Sequence, residues 1–167
     1  MAYRNKTYVC FDGDNDINYY WLMKAWSEHK KIDFDFYDAH DLNTARDSSQ
    51  EESIKKQLRE RFANSKLLVV LIGQKTKLLT KFVRWEMEVA LRLDLPIVGV
   101  NLNGSRDQDS LCPPTIKDRL SIYVPFNLAI IKYAMEHWPA RHSELKLKGE
   151  LGPRSYKSSI YEQLGLG

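Results

Sequence analysis

Apolar positions along this chain alternate between short β-branched runs and longer stretches with a helical period. Thr7–Phe11 (TYVCF) reads as a strand that stops at FDGDND, a Gly/Asp/Asn-rich loop. Asp16 then stands as an N-cap for a helix from Ile17 to about His29, with Tyr19, Leu22, Met23 and Trp26 along one side. Asp35–Asp38 (DFYD) is a second, charge-flanked strand suited to a sheet edge. Ala39–Ser49 is polar with no apolar period, a loop length that tends to be functional or disordered. Ser48-Ser49-Gln50-Glu51 opens a helix with a capping-box pattern; Ile54, Leu58 and Phe62 give its apolar repeat and Asn64 its end. Leu67–Ile72 (LLVVLI) is the most apolar run, which fits a central strand buried on both faces. Pro96–Asn101 and Ile122–Val124 are two further strands. The stretch from Pro125 to Trp138 reads as a helix capped by Asn127 and closed by Pro139.

One helix departs from its own pattern. In Lys81–Leu93 (KFVRWEMEVALRL), at about 100° per residue, Phe82, Val83, Met87, Val89, Ala90 and Leu93 share an apolar arc. Arg84, Glu88 and Arg92 form a polar stripe of alternating charge on the opposite side. Glu86 falls inside the apolar arc, near the helix start, where the macrodipole favours an anion. A carboxylate there must be desolvated, partnered or open to a cleft. Periodicity alone leaves two readings, a working acid and a buried structural acid bonded to backbone amides.

Strands and helices in alternation predict an α/β three-layer sandwich with a mostly parallel sheet. Five strands and right-handed crossovers suggest the flavodoxin-like order 2-1-3-4-5. Residues 1–138 form this domain. Residues 139–167 carry no strand pattern, only a short helix at Ser159–Leu164, and are expected as an extension packed on the same domain. Composition changes little: 167 residues, 43% hydrophobic and 28% charged, describe an ordinary globular chain. A net charge of +3, with basic residues scattered among acidic ones, gives no argument for nucleic acid. The two cysteines, Cys10 and Cys112, lack zinc-type spacing and are expected as free thiols in a reducing compartment. The N-terminal stretch has no signal-like apolar region, and no run approaches membrane-spanning length, so a cytoplasmic protein is expected.

In an open parallel sheet, ligands bind beyond the carboxyl ends of the strands. The loops there are Asp12–Asp16, Ala39–Ser49 and Gly73–Thr80, and Glu86 can face the same edge. A phosphate-binding loop is excluded, because these loops carry only Gly13 and Gly73. A phospho-accepting receiver site is excluded too. Asp12 and Asp14 mimic its acidic pair, but Ile72-Gly73 stands where the acceptor aspartate belongs. A lone carboxylate near a sugar carbon remains: cleavage of an activated glycosidic bond passes through an oxocarbenium-like centre that one acid can stabilise or trap. Each supporting side chain has a bland reading as well. Asp12 and Asp14 can merely shape a turn, Gln74 and Thr76 can be turn chemistry, and Trp85 can be packing. His40 and Arg46 in the long loop can contact a ligand or be merely solvated. Tyr19, Tyr20, Trp21 and Trp26 read as core, with an assembly interface as the alternative.

The layout FDGDND, VVLIGQKT, FVRWEMEVAL and PIVGVNLNG resembles the TIR-like family of bacterial proteins, and more narrowly the TIR-like subunits of Thoeris anti-phage systems. The matching residues are Leu71-Ile72-Gly73, Thr76, Phe82-Val83-Arg84-Trp85-Glu86 and Ile97-Val98-Gly99-Val100, within a likeness spanning roughly residues 5–135. Phe82 departs from the pattern, since relatives often carry Trp there. The resemblance implies cleavage of NAD+ at the nicotinamide–ribose bond, with NAD+ as substrate and no cofactor or metal. It implies Glu86 as the catalytic acid and Phe11, Asp12, Asp14, Gly73, Thr76 and Trp85 as substrate-binding residues. It further implies an ADP-ribose-derived messenger, a separate effector protein, and a homo-oligomer or phage-derived trigger, without nucleic acid or membrane partners. The alternatives are a non-catalytic adaptor or nucleotide sensor acting by self-association, and a nucleoside deoxyribosyltransferase-like enzyme.

Overall fold

The structure, a computed structural model, describes residues 5–29, 31, 34–37, 51–63 and 65–167. His40, Arg46, the serines of the expected capping box and the expected stop at Asn64 lie outside the described residues. The sheet contains β1 (Asn5–Cys10), β2 (Phe34–Tyr37), β3 (Ser65–Ile72), β4 (Ile97–Asn101), β5 (Ser121–Pro125) and β6 (Pro153–Ser155). Its order is β2-β1-β3-β4-β5-β6 and every pairing is parallel. The expected 2-1-3-4-5 order is present, with β2 at an edge as its charged flanks suggest. The sixth strand is a correction: Pro153–Ser155 has no apolar alternation, yet pairs with Ser121–Tyr123 at the other edge. A strand of three residues carries too little side-chain pattern to be read, because backbone bonds to β5 hold it.

Successive side chains of a strand point to opposite faces, and β3 shows this directly. Leu67, Val69 and Leu71 join one core, with Val9, Val98, Val100, Ile122 and Val124. Leu68, Val70 and Ile72 join the other, with Tyr8, Cys10, Ile97 and Tyr123. The first core is covered by α1 (Ile17–Glu28) and α4 (Leu128–Leu147), the second by α2 (Glu51–Phe62) and α3 (Phe82–Arg92). This is a three-layer α/β sandwich of flavodoxin-like topology. A short α5 (Ser158–Gln163) follows β6. It begins at Ser158, one residue before the expected start at Ser159.

Two helices differ from expectation. α4 starts as read, with Asn127 Oδ1 accepting from the backbone N–H of Ala129 (2.8 Å) and Ile130 (3.3 Å). It does not end at Pro139 but runs through it for two more turns. Proline removes one helical hydrogen bond, and burial of Trp138, His142 and Leu145 on the same helix offsets that loss. In α1, Tyr20 and Met23 are buried, while Tyr19 and Leu22, expected on the packed face, are exposed. Trp21 is exposed as well, so the expected core reading holds for Tyr20 and not for it.

A candidate active-site cleft beside Glu86

The carboxyl ends of β1 and β3 open a cleft of about 460 Å³. One wall is Phe11–Asp14, which follows β1; the other is Leu78–Thr80 with Lys81, Phe82 and Val83 at the start of α3. Phe11 is buried and stacks on Tyr20 of α1, ring centroids 4.8 Å apart and nearly parallel. Asp12 is buried, and its carboxylate organises the turn. Oδ1 accepts from the backbone N–H of Asp14 (3.0 Å) and Asn15 (3.3 Å), and Oδ2 from the Asn15 amide (2.6 Å). Asp14 is exposed on the cleft wall. Asp16 sits at the N-cap of α1 without a side-chain cap bond. Its carboxylate lies against Gly73, where an added Cβ would meet Oδ2 at 2.2 Å. Burial, and then the Asp12 charge, raise the Asp16 carboxyl above its usual range.

The second loop is tied down from within. The buried Thr76 hydroxyl donates to the carbonyl of Leu71 (3.3 Å) and accepts from the backbone N–H of Gly73 (2.9 Å). Gly73 and Thr76 therefore hold the loop's shape; neither is on the cleft wall. Beyond them a 3-10 turn, Thr76–Leu78, projects Leu78 over the opening with 65% of its surface exposed. Trp85 is half-buried edge-on to Phe82, centroids 5.1 Å apart, and does not line the cleft.

Glu86 is 4% exposed, one helical turn inward from the wall residues Phe82 and Val83 and on their face of α3. It does not itself line this cleft. It meets Cys10, the last residue of β1. Burial pushes the Cys10 thiol far up, and the Glu86 charge and a hydrogen bond to the Glu86 carboxylate push it further. The same thiol lies 3.6 Å from the Val83 carbonyl. Glu86 therefore sits buried beside the last residue of β1, at the carboxyl edge of the sheet.

The structure brings Phe11, Asp12 and Asp14 together on the cleft, buries Glu86 one helical turn on from its wall, and leaves Gly73, Thr76 and Trp85 off its lining. Sequence reasoning missed two residues. Lys81 lines the cleft at the N-cap of α3, where no side chain caps the helix. Such a terminus, with free N–H groups beside a cation, suits an anion. Cys10 was legible through alternation: it shares with Tyr8 the face that α3 covers.

A parallel α/β sheet with a buried acid and a cleft at its carboxyl edge defines the class. The family described as Thoeris protein ThsB, TIR-like domain, matches residues 8–107, and the chain belongs to that family. The match spans both cleft loops, Glu86 and Cys10. A search of curated proteins finds no match. Among solved structures, the chain is similar to a 3-dehydroquinate dehydratase-like protein from Bifidobacterium longum. That likeness has 10% identity and a TM-score of 0.40, covering 82% of this chain and 97% of the other. Among the described residues, no helix is long and apolar enough to cross a membrane.

Proposed function

We propose that this protein cleaves NAD+ at the nicotinamide–ribose bond and passes on an ADP-ribose-derived messenger to a separate effector in anti-phage defence. The observation that carries this reading is a buried carboxylate, Glu86, one helical turn on from the wall residues of a cleft formed by two strand-end loops, all within the stretch matched by the Thoeris family. The uncapped α3 terminus and Lys81 suit the pyrophosphate, and the exposed Asp14 carboxylate suits ribose hydroxyls. The bond electrons leave with the nicotinamide nitrogen, neutralising its ring. Glu86 stabilises or attacks the positive ribose carbon left behind, and a nucleophile of water or of the substrate's own adenosine part completes the transfer. Its burial strengthens that attraction, since charges interact more strongly away from water. Activity is measured as nicotinamide release from NAD+ in lysates of phage-infected cells. Glu86→Gln is expected to lower release by about a hundredfold or more. Equal release by both proteins would remove Glu86 from the chemistry.

A second reading, an adaptor or sensor acting by self-association, is favoured by one observation. Trp21 and Leu22 of α1 leave 55% and 48% of their surfaces exposed, and Tyr19 adds to them. It predicts that lysates carrying Glu86→Gln still activate the effector.

A further inference from the structure

A larger groove, of about 620 Å³, lies between α2, α3 and the β4–β5 connection. Five cationic side chains line it: Lys55, Lys77, Arg84, Arg92 and Arg119. Glu88 is its one lining carboxylate, and is already paired with Lys55 (2.7 Å) and Arg84 (2.9 Å). Lys77 Nζ donates to the Ser110 carbonyl (3.1 Å). Arg92 and Arg119 make no side-chain hydrogen bond or ion pair among the described residues. Leu79, Met87 and Leu91 supply an apolar part of the lining, with Pro113 and Pro114 beside them. The chain as a whole carries only +3, so this concentration of cations is local.

Contacts within the fold account for Lys55, Arg84 and Lys77, but not for Arg92 and Arg119. Like charges around a concavity repel one another, and low-dielectric walls focus their field into the groove instead of letting water disperse it. Single exposed arginines are ordinarily solvated. Two with no partner, facing a groove whose one acid is neutralised twice, leave a fixed positive potential above an apolar patch. The groove's volume is that of a small-molecule site rather than of a flat macromolecular interface.

We infer that this groove is a second binding site, for a phosphorylated small molecule of nucleotide size. The phosphates engage the Arg92 and Arg119 guanidiniums, whose planar forks suit bidentate contact. The heterocycle lies on Leu79, Met87 and Leu91. The site is separate from the Glu86 cleft, sharing with it only Leu79 and Thr80, whose segment forms the ridge between them. Its occupant therefore meets a segment that also lines the cleft, without entering the cleft.

Titration calorimetry on the full chain tests this with ATP, inorganic tripolyphosphate and adenosine as probes. ATP is expected to bind, tripolyphosphate more weakly, and adenosine without measurable heat. Arg92→Glu and Arg119→Glu are each expected to weaken ATP binding by about tenfold or more, the worth of a charge-assisted phosphate contact. Arg92→Gln and Arg119→Gln should weaken it less, and their unchanged melting temperatures would show that folding is intact. Lys81→Glu, on the cleft, should leave ATP binding in the groove as it was. The site is overturned if millimolar ATP does not bind, if the arginine variants bind as wild type does, or if only Lys81→Glu abolishes binding. Equal affinity for ATP and tripolyphosphate would overturn the nucleotide part. A short single-stranded oligonucleotide binding more tightly than ATP would overturn the small-molecule assignment.

Discussion

His142 is 6% exposed, with Trp138 edge-on to its ring and the Asp94 carboxylate 3.7 Å from Nε2. Asp94, two residues past the end of α3, adopts a left-handed conformation (φ 60) and pairs with Lys146 at 2.8 Å. Burial lowers the His142 pKa from 6.5; the Asp94 charge works against that, and Lys146 adds to the lowering. The unfolded chain therefore takes up a proton at a pH where the folded chain still resists it. The stabilisation from burying a neutral imidazole is complete above an unfolded pKa of about 6.5 and is lost as pH falls through it towards the folded value. Melting temperature is expected to fall on acidification from about pH 7.5 to pH 5.5. In His142→Gln the pH dependence over that window should be flatter. An identical slope in both proteins would show that other groups set the acid response.

At the scale of elements, β4 and β5 are joined by one contact that no other residue type fits. Gly99 pairs with Tyr123, and a Cβ on Gly99 would come within 2.6 Å of the Tyr123 ring and 3.2 Å of Ile72. The ring cannot withdraw easily. It is fully buried, and its hydroxyl accepts from Ser121 (3.0 Å) and shares a hydrogen bond with Cys112 (3.4 Å). Gly99→Ala is expected to destabilise by about 1–3 kcal/mol, read from denaturant unfolding. A glycine inside a strand signals such an approach, but the neighbour it admits comes from the register between strands, which lies outside local sequence. The same division runs through the fold. Leu67–Ile72 announced itself because burial on both faces demands an unbroken apolar run, and Glu86 because a carboxylate interrupted an apolar arc. The continuation of α4 past Pro139 was hidden, since tertiary burial of Trp138, His142 and Leu145 outweighs a local breaker. Cleft membership was half legible: position after a strand located Asp12 and Asp14 and the family resemblance added Phe11, whereas Gly73 and Thr76 met their own loop's needs first. Lys81 went unread because exposed lysines carry no pattern.

For the whole molecule, the open question is what residues 150–167 contribute. The sheet order places β6 at one edge, whereas the cleft lies at β1 and β3, with β4 and β5 between them. The segment nonetheless closes the first core. Tyr161 is buried there beside Trp138 and Leu145, and Tyr156 meets Tyr133 edge-on at 5.1 Å. Arg106 of the β4–β5 connection lies 3.8 Å from the Tyr161 ring centroid and donates to the Leu166 carbonyl at 3.1 Å. Burying one large aromatic contributes about 1.5–3 kcal/mol, so removing the segment exposes enough core to matter. We propose that it belongs to the same cooperative unit as residues 1–138. A chain ending at residue 149 is expected to melt in one transition, lowered by about 5 °C or more relative to full length. An unchanged melting temperature would make the segment an accessory. Because β4 and β5 separate it from the cleft, the NAD+ cleavage proposed above should be the same per folded molecule in the truncated and full-length chains below the melting point. Loss of stability with unchanged turnover would place the segment's role in holding the β6 edge of the sheet, away from the carboxyl ends of β1 and β3.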